Sequence, residues 1–239
     1  MSRPGWLRRR PPAGPAPSAA DVLERLDEPF RSALRSMYRN EPQQGRDGQH
    51  ELDRNTRISP EQGLWLHDTY RELRPVASLE IGLAYGFSTL FFLAALTRNG
   101  SGRHTAVDPL QNSTWHGMGL EKVREVGARD FEFLEALCAH AVTDLARQGR
   151  VFDLIFIDGN HRFDDVLVDF TLCAPLLAEG GLVVLDDMWM RSVKAAVDFV
   201  RTNRADFEAV RTPLPTVAAF RRTAPDRRSW DHFESFRVD

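Results

Sequence analysis

From residue 77 to residue 202 the chain alternates short apolar runs with stretches of helical periodicity, and this pattern restricts the fold more than anything else in it. The runs at 77–81, 104–108, 131–134, 152–158 and 182–186 read as strands; the clearest intervening helices are 88–96, 163–177 and 193–202. Alternation of this kind requires a mostly parallel sheet with helices on both faces, since a parallel return needs a crossover helix. The last part differs. FEAVRTPLPTVAAFRR has two strand-like runs with a Pro-containing turn and no helix between them, so it is expected as a hairpin on one sheet edge. The fold class is therefore α/β.

Ahead of this region the pattern is helical. Val22, Leu23, Leu26, Phe30, Leu34 and Met37 recur at helical spacing and predict a helix over 20–38. The polar stretch 40–55 reads as a loop. Ser59, Pro60 and Gln62 then supply an N-cap, a proline at the first helical position and a capping-box partner for a helix running to about Leu73. The first nineteen residues, rich in Pro, Arg and Ala, have almost nothing to bury and are expected to be a disordered tail. The expected organisation is this tail over 1–19, an N-terminal helical cover over 20–74, and one α/β domain over 75–239.

Composition removes several function classes. With 31 basic and 34 acidic side chains the net charge is −3, whereas a general nucleic-acid binder would show a basic footprint. No apolar run approaches the ~20 residues that span a bilayer. The two cysteines, Cys138 and Cys173, sit in apolar segments and make no disulfide framework, which fits a reducing, cytoplasmic setting.

In open α/β sheets ligands bind at the carboxyl ends of the strands. The first such end reads Glu80-Ile81-Gly82-Leu83-Ala84-Tyr85-Gly86-Phe87-Ser88. Gly82 and Gly86 let the backbone turn sharply and approach a ligand, and Ser88 stands where a helix N-terminus can meet an anionic group. The spacing is neither the dinucleotide fingerprint nor a Walker loop. The second strand ends at Asp108, where an acid can accept hydrogen bonds from both ribose hydroxyls. The two ends together describe a pocket for a nucleoside with a small charged tail.

LEIGLAYGFST, the VDP acid and the later IDG and LDD strand ends resemble class I S-adenosylmethionine-dependent methyltransferases, and among them the small-molecule O-methyltransferases of the catechol O-methyltransferase type and their bacterial relatives. The resemblance covers roughly residues 58–222. It implies a Rossmann-like seven-stranded sheet with a C-terminal antiparallel hairpin. It also implies that Glu80 holds the methionine amino end, that Gly82 and Gly86 shape the cradle, that Ser88 meets the carboxylate and that Asp108 binds the ribose. In the strand order of that superfamily, Asp158, Asp186 and Asp187 converge beside the cofactor's methyl group. Three packed carboxylates repel one another unless a cation neutralises them, and their hard oxygens suit Mg²⁺. Such an ion acidifies a substrate hydroxyl. Asp187 departs from the catechol enzymes, which have Asn there; the alternative is that one acid of the pair only caps the following helix.

His161, three residues beyond Asp158, is a candidate general base or an orienting group for the Asp158 loop. The polar stretch 109–120 carries Trp115 and His116 and reads as a lid, with Trp115 lining the cofactor and substrate pocket. Residues 138–141 are candidates for the adenine wall, and Trp189 for the acceptor wall. The reading is an S-adenosylmethionine-dependent, Mg²⁺-assisted O-methyltransferase acting on a small-molecule hydroxyl, with no nucleic-acid partner. A metal-independent O- or N-methyltransferase and a non-catalytic cofactor-binding protein are the alternatives. Two chains could pair through the N-terminal helices.

Overall fold

The structure, a computed structural model, describes residues 19–238. The tail expected over 1–19 lies, apart from Ala19, outside them. A seven-stranded sheet is made by β3 (Ala77–Ile81), β4 (Arg103–Val107), β5 (Phe131–Leu134), β6 (Phe152–Ile157), β7 (Leu177–Leu185), β8 (Phe207–Val210) and β9 (Ala218–Arg222). Their spatial order is β5-β4-β3-β6-β7-β9-β8. β3, β6 and β7 pair in parallel, and β9 runs antiparallel to both β7 and β8. The α/β class, the Rossmann-like mostly parallel sheet and the closing hairpin are as the sequence implies. Among the described residues no helix is long and apolar enough to cross a membrane.

The chain packs as two compact units. The first takes the described residues up to Arg74 together with 83–104 and 110–135; the second takes 75–82, 105–109 and the described residues from Ala136. In the first unit, α1 (Ala19–Leu23), α2 (Phe30–Tyr38) and α3 (Pro60–Leu73) gather around α4 (Phe87–Asn99), and α5 (Met118–Glu125) follows. α4 is buried from Phe87 through Leu96 and therefore reads apolar on all sides. On α3, Gly63 is required by packing: a Cβ there would lie 2.1 Å from Cε2 of Phe91, which fills that space. Ser59 caps α3 as its sequence predicts, with Oγ accepting from the Gln62 N–H at 3.1 Å.

Four expected elements differ from what is observed. The helix predicted over 20–38 is two helices, because Pro29 has no N–H to continue the ladder and instead stands at the N-cap of α2. Within the stretch read as a loop, β1 (Gln43–Gly45) and β2 (Gly48–His50) form a small hairpin turned at Arg46-Asp47. β7 begins at Leu177, not at 182, and its pairing with β6 is irregular between Phe152 and Leu154. Accordingly α7 (Phe163–Cys173) ends early, in a 3₁₀ turn holding Pro175. In the second unit α6 (Cys138–Arg147), α7 and α8 (Arg191–Asn203) accompany the strands, whose inner residues Phe152, Leu154, Phe156, Leu182, Val184 and Phe220 are almost wholly buried.

Candidate active site

The register of the parallel strands sets the site in the second unit. Ile81 pairs with Ile157, and Ile157 with Leu185, so the first residues beyond β3, β6 and β7 are Gly82, Asp158 and Asp186, in one row. Each is tied to the neighbouring strand by its N–H: Gly82 to the carbonyl of Val107 (2.9 Å), Asp158 to Ile81 (2.9 Å) and Asp186 to Ile157 (3.1 Å). Asp108 follows Val107 at the end of the same row. Glu80, Asp108 and Asp186 are all nearly or fully buried. Carboxylates so placed need partners or a ligand, because an ionised group is costly to bury alone.

Gly82 has φ +97°, and a Cβ there would lie 1.9 Å from the backbone oxygen of Asp158. Only glycine meets both conditions, so the turn after β3 and the turn after β6 touch backbone to backbone. The Asp158 turn in turn carries Gly159, Asn160 and His161 around a small cavity also lined by Val166 and Asp186.

In that turn an acid–imidazole cluster forms. Nε2 of His161 is 2.5 Å from Oδ2 of Asp187 and 3.6 Å from Oδ1 of Asp158. One donor atom from each residue lies within 4.8 Å of the others. Burial pushes Asp158 up to about 6, helped by the charges of Asp187 and Glu80 and opposed by His161. The carboxylates of Asp158 and Asp187 push His161 up to about 10 against its own desolvation. Burial also acts to raise Asp187, yet His161 and the Trp189 N–H outweigh it and hold its carboxyl below the usual range. The ring thus lies between two acids, whose charges favour its protonated form.

Asp187 sits at φ +57°, the left-handed region that Asn and Asp tolerate best among non-glycine residues. This turn aims its carboxylate at His161, while its other oxygen accepts from Nε1 of Trp189 at 2.7 Å. Trp189 is 65% exposed, an apolar wall beside charged groups. Oδ1 of Asp186 accepts from the Asp187 N–H at 2.7 Å, and its carboxylate is not among the three clustered groups. The two clustered carboxylates supply the hard oxygens a Mg²⁺ ion takes, so the donor set fits that ion. The proton on His161 meets the same electrostatic need, and a cation and that proton compete for the place between the acids.

In the first unit, Gly86 takes φ +86° at the N-cap of α4, and its N–H donates to Leu83 at 2.7 Å. Ser88 follows in the buried first turn. Gln111 Nε2 donates to Ala84 O at 2.6 Å, which ties the turn before α4 to the loop before α5. Trp115 in that loop meets Tyr85 edge-on at 5.1 Å. The loop has turn hydrogen bonds of its own, Gly117 N–H to Gln111 O (2.7 Å) among them. Residues 138–141 open α6 in the second unit, where the Cys138 thiol lies beside Cys173 and Asp169. The sequence did not show His161 and Asp187 as a pair. Its only trace was a histidine three residues after a strand-end acid.

Residues 79–188 match the family described as a methyltransferase domain. Several solved structures share the fold. The S-adenosylhomocysteine-bound methyltransferase PaMTH1 of Podospora anserina superposes with a TM-score of 0.66 at 16% identity, covering 83% of this chain and 89% of that one. The O-methyltransferase TomG of Streptomyces achromogenes, solved with S-adenosylmethionine, gives 0.65 at 20% identity over 83% and 91%. An O-methyltransferase of Bacillus cereus, in complex with S-adenosylhomocysteine, gives 0.60 at 16% over 82% and 91%. Among curated proteins, the uncharacterized protein y4gI of Sinorhizobium fredii is 29% identical over 137 residues, which are 54% of this chain and 14% of that protein.

Proposed function

We propose that this chain, whose residues 79–188 match a methyltransferase domain, is an S-adenosylmethionine-dependent enzyme that methylates a hydroxyl oxygen of a small molecule, with Mg²⁺ assistance. The observation that carries the reading is the cluster of Asp158, His161 and Asp187 at the carboxyl ends of two neighbouring parallel strands. Transfer of an already activated methyl group asks the protein for a deprotonated oxygen in line, at near-attack distance. Asp158 and Asp187 would hold the ion, with Asp186 supporting the Asp187 turn. A bound Mg²⁺ lowers the pKa of a coordinated hydroxyl.

His161 supplies the proton acceptor. Its proton is held by the two carboxylates; once they are engaged elsewhere, Nε2 is left neutral and able to take a hydroxyl proton. Trp189 offers a flat apolar wall to an aromatic or ring acceptor. Glu80 takes the methionine amino group and Asp108 the ribose hydroxyls, both from buried strand ends, with Gly82 giving the backbone its close approach. In the first unit, Gly86 opens α4, Ser88 serves an anionic carboxylate at that helix N-terminus, and Trp115 contributes an aromatic edge. A net charge of −3 favours a small acceptor over nucleic acid.

A metal-independent reading is favoured by one observation, the 2.5 Å approach of His161 to Asp187, which neutralises the acids without an ion. One experiment separates the two. Methyl transfer from labelled cofactor to a panel of phenols and sugars is measured for the wild type and Asp158→Asn, each in EDTA and in Mg²⁺. Activity that needs Mg²⁺ and is lost in Asp158→Asn, while S-adenosylhomocysteine still binds within a few-fold by calorimetry, supports the Mg²⁺ reading. Activity unchanged in EDTA moves the role to His161. Full activity in Asp158→Asn overturns the site.

A further inference from the structure

We propose that Asp47, His50 and His116 form a second cation site, one that takes a borderline first-row divalent ion such as Zn²⁺. All three belong to the first unit. Asp47 stands in the turn of the β1–β2 hairpin, His50 ends β2, and His116 lies in the loop before α5. Nε2 of His50 is 2.7 Å from Oδ1 of Asp47, and Nδ1 of His116 is 4.0 Å from the same oxygen. One ligand atom from each residue falls within 4.8 Å of the other two. The two rings stack, with centroids 3.9 Å apart and planes 12° apart.

Backbone geometry holds this arrangement together. The Arg46 N–H donates to the carbonyl of His116 at 2.8 Å. Gly45 is required beneath it, since a Cβ would lie 2.7 Å from His116 O and 2.9 Å from Cδ2 of His50. His116 itself adopts φ +52°. Hairpin and loop are thus docked so that a nitrogen of each imidazole approaches the Asp47 carboxylate.

The donor set selects the ion. Two imidazole nitrogens and one carboxylate oxygen match the three-ligand sets of open zinc sites, whereas Mg²⁺ and Ca²⁺ seek oxygen shells. Metal–ligand bonds of about 2.0–2.2 Å in tetrahedral geometry place donors roughly 3.3 Å apart. The observed 2.7 and 4.0 Å lie on either side of that spacing, so one contact must lengthen and the other shorten for an ion to bind. The rings must splay from their stack, because each lone pair lies in its ring plane. A fourth position is left to water, as the Asp47 and His116 side chains are 62% and 44% exposed. Both rings must be neutral to ligate, so protons compete with the ion. Bound there, the ion pins the hairpin to the loop that carries Trp115.

Co²⁺, a spectroscopic stand-in for Zn²⁺, is titrated into the full chain in excess Mg²⁺, added to compete for the carboxylate cluster of the second unit. The expected result is a saturable visible band of low-coordinate Co²⁺ at one equivalent, displaced by Zn²⁺. It should weaken at least about 30-fold in His50→Gln/His116→Gln and persist in Asp158→Asn/His161→Gln. Circular dichroism checks that each variant is folded. Asp47→Asn, in an exposed turn, gives the same test should the double variant fail to fold, with about tenfold weakening expected. No saturable band, a band unchanged in the hairpin variants, or one lost only with Asp158 and His161 overturns the site.

Discussion

Replacing Gly82 by alanine tests the backbone contact on which the candidate site rests. The added Cβ would start 1.9 Å from the Asp158 oxygen and must reach at least 3.0 Å, so one of the two turns has to yield by at least about 1.1 Å. The positive φ costs about 1–2 kcal/mol and the overpacking about 1–3 kcal/mol more. Gly127→Ala is the matched control. That residue also has a positive φ, +66°, but a Cβ added there would meet nothing within 4 Å, so it registers the dihedral cost alone. At about 2–4 °C per kcal/mol for a chain of this size, the overpacking alone should make Gly82→Ala melt roughly 2–12 °C below Gly127→Ala by differential scanning calorimetry. A displacement of about 1 Å at Asp158 should also lower methyl transfer about 100-fold, whereas the control keeps wild-type turnover. Equal melting temperatures for the two variants would refute the contact. A Gly82→Ala enzyme of full activity would refute its link to the site.

Other consequences follow from single interactions. Ser59→Ala removes the side-chain cap of α3 and should cost about 1 kcal/mol, or roughly 2–4 °C in melting temperature. Arg228 holds Asp226 well below the ordinary carboxylate range, so this pair stabilises the fold above that range and the contribution is lost as pH falls through the folded value. The melting gap between wild type and Asp226→Asn should accordingly close on acidification; a gap that widens at low pH contradicts the assignment. Asp169 has the opposite sign. Burial raises it to about 6 despite the hydrogen bond with Cys138, so its ionisation disfavours the folded state as pH rises through that value. Asp169→Asn should therefore gain melting temperature relative to wild type between pH 5 and pH 8, and no pH-dependent gain would show that the carboxylate is satisfied where it lies.

The strands were legible where apolar runs are sharply bounded. β3 stands between Pro75 and Gly82 and β5 before the polar Glu135, and both match their expected limits. Periodicity misled where side-chain burial and backbone path part company. Leu26, Phe30 and Leu34 are all buried at helical spacing, yet Pro29 divides the helix between them. The β1–β2 hairpin carries Gln, Gly and His with no apolar alternation, so nothing in its residue types marked it as strand. Gly180 and Gly181, which precede the expected strand over 182–186, lie inside β7. At the site, strand-end positions showed in sequence because a sheet puts them in one row. The approach of His161 to Asp187 did not show, because it depends on a left-handed backbone at an aspartate.

The row formed by Gly82, Asp158 and Asp186 has a bearing on how such a chain tolerates change. Each of these residues takes its place from a hydrogen bond to the strand beside it, as marks on one ruler are set by the marks before them. A residue inserted within β6 would turn Asp158 to the opposite face of the sheet and also withdraw the anchor for Asp186. Beyond the row, the turns that carry His161 and Asp187 are held in addition by the contact between those two side chains. Length variation should therefore be tolerated least within the strands and in the turns that carry His161 and Asp187.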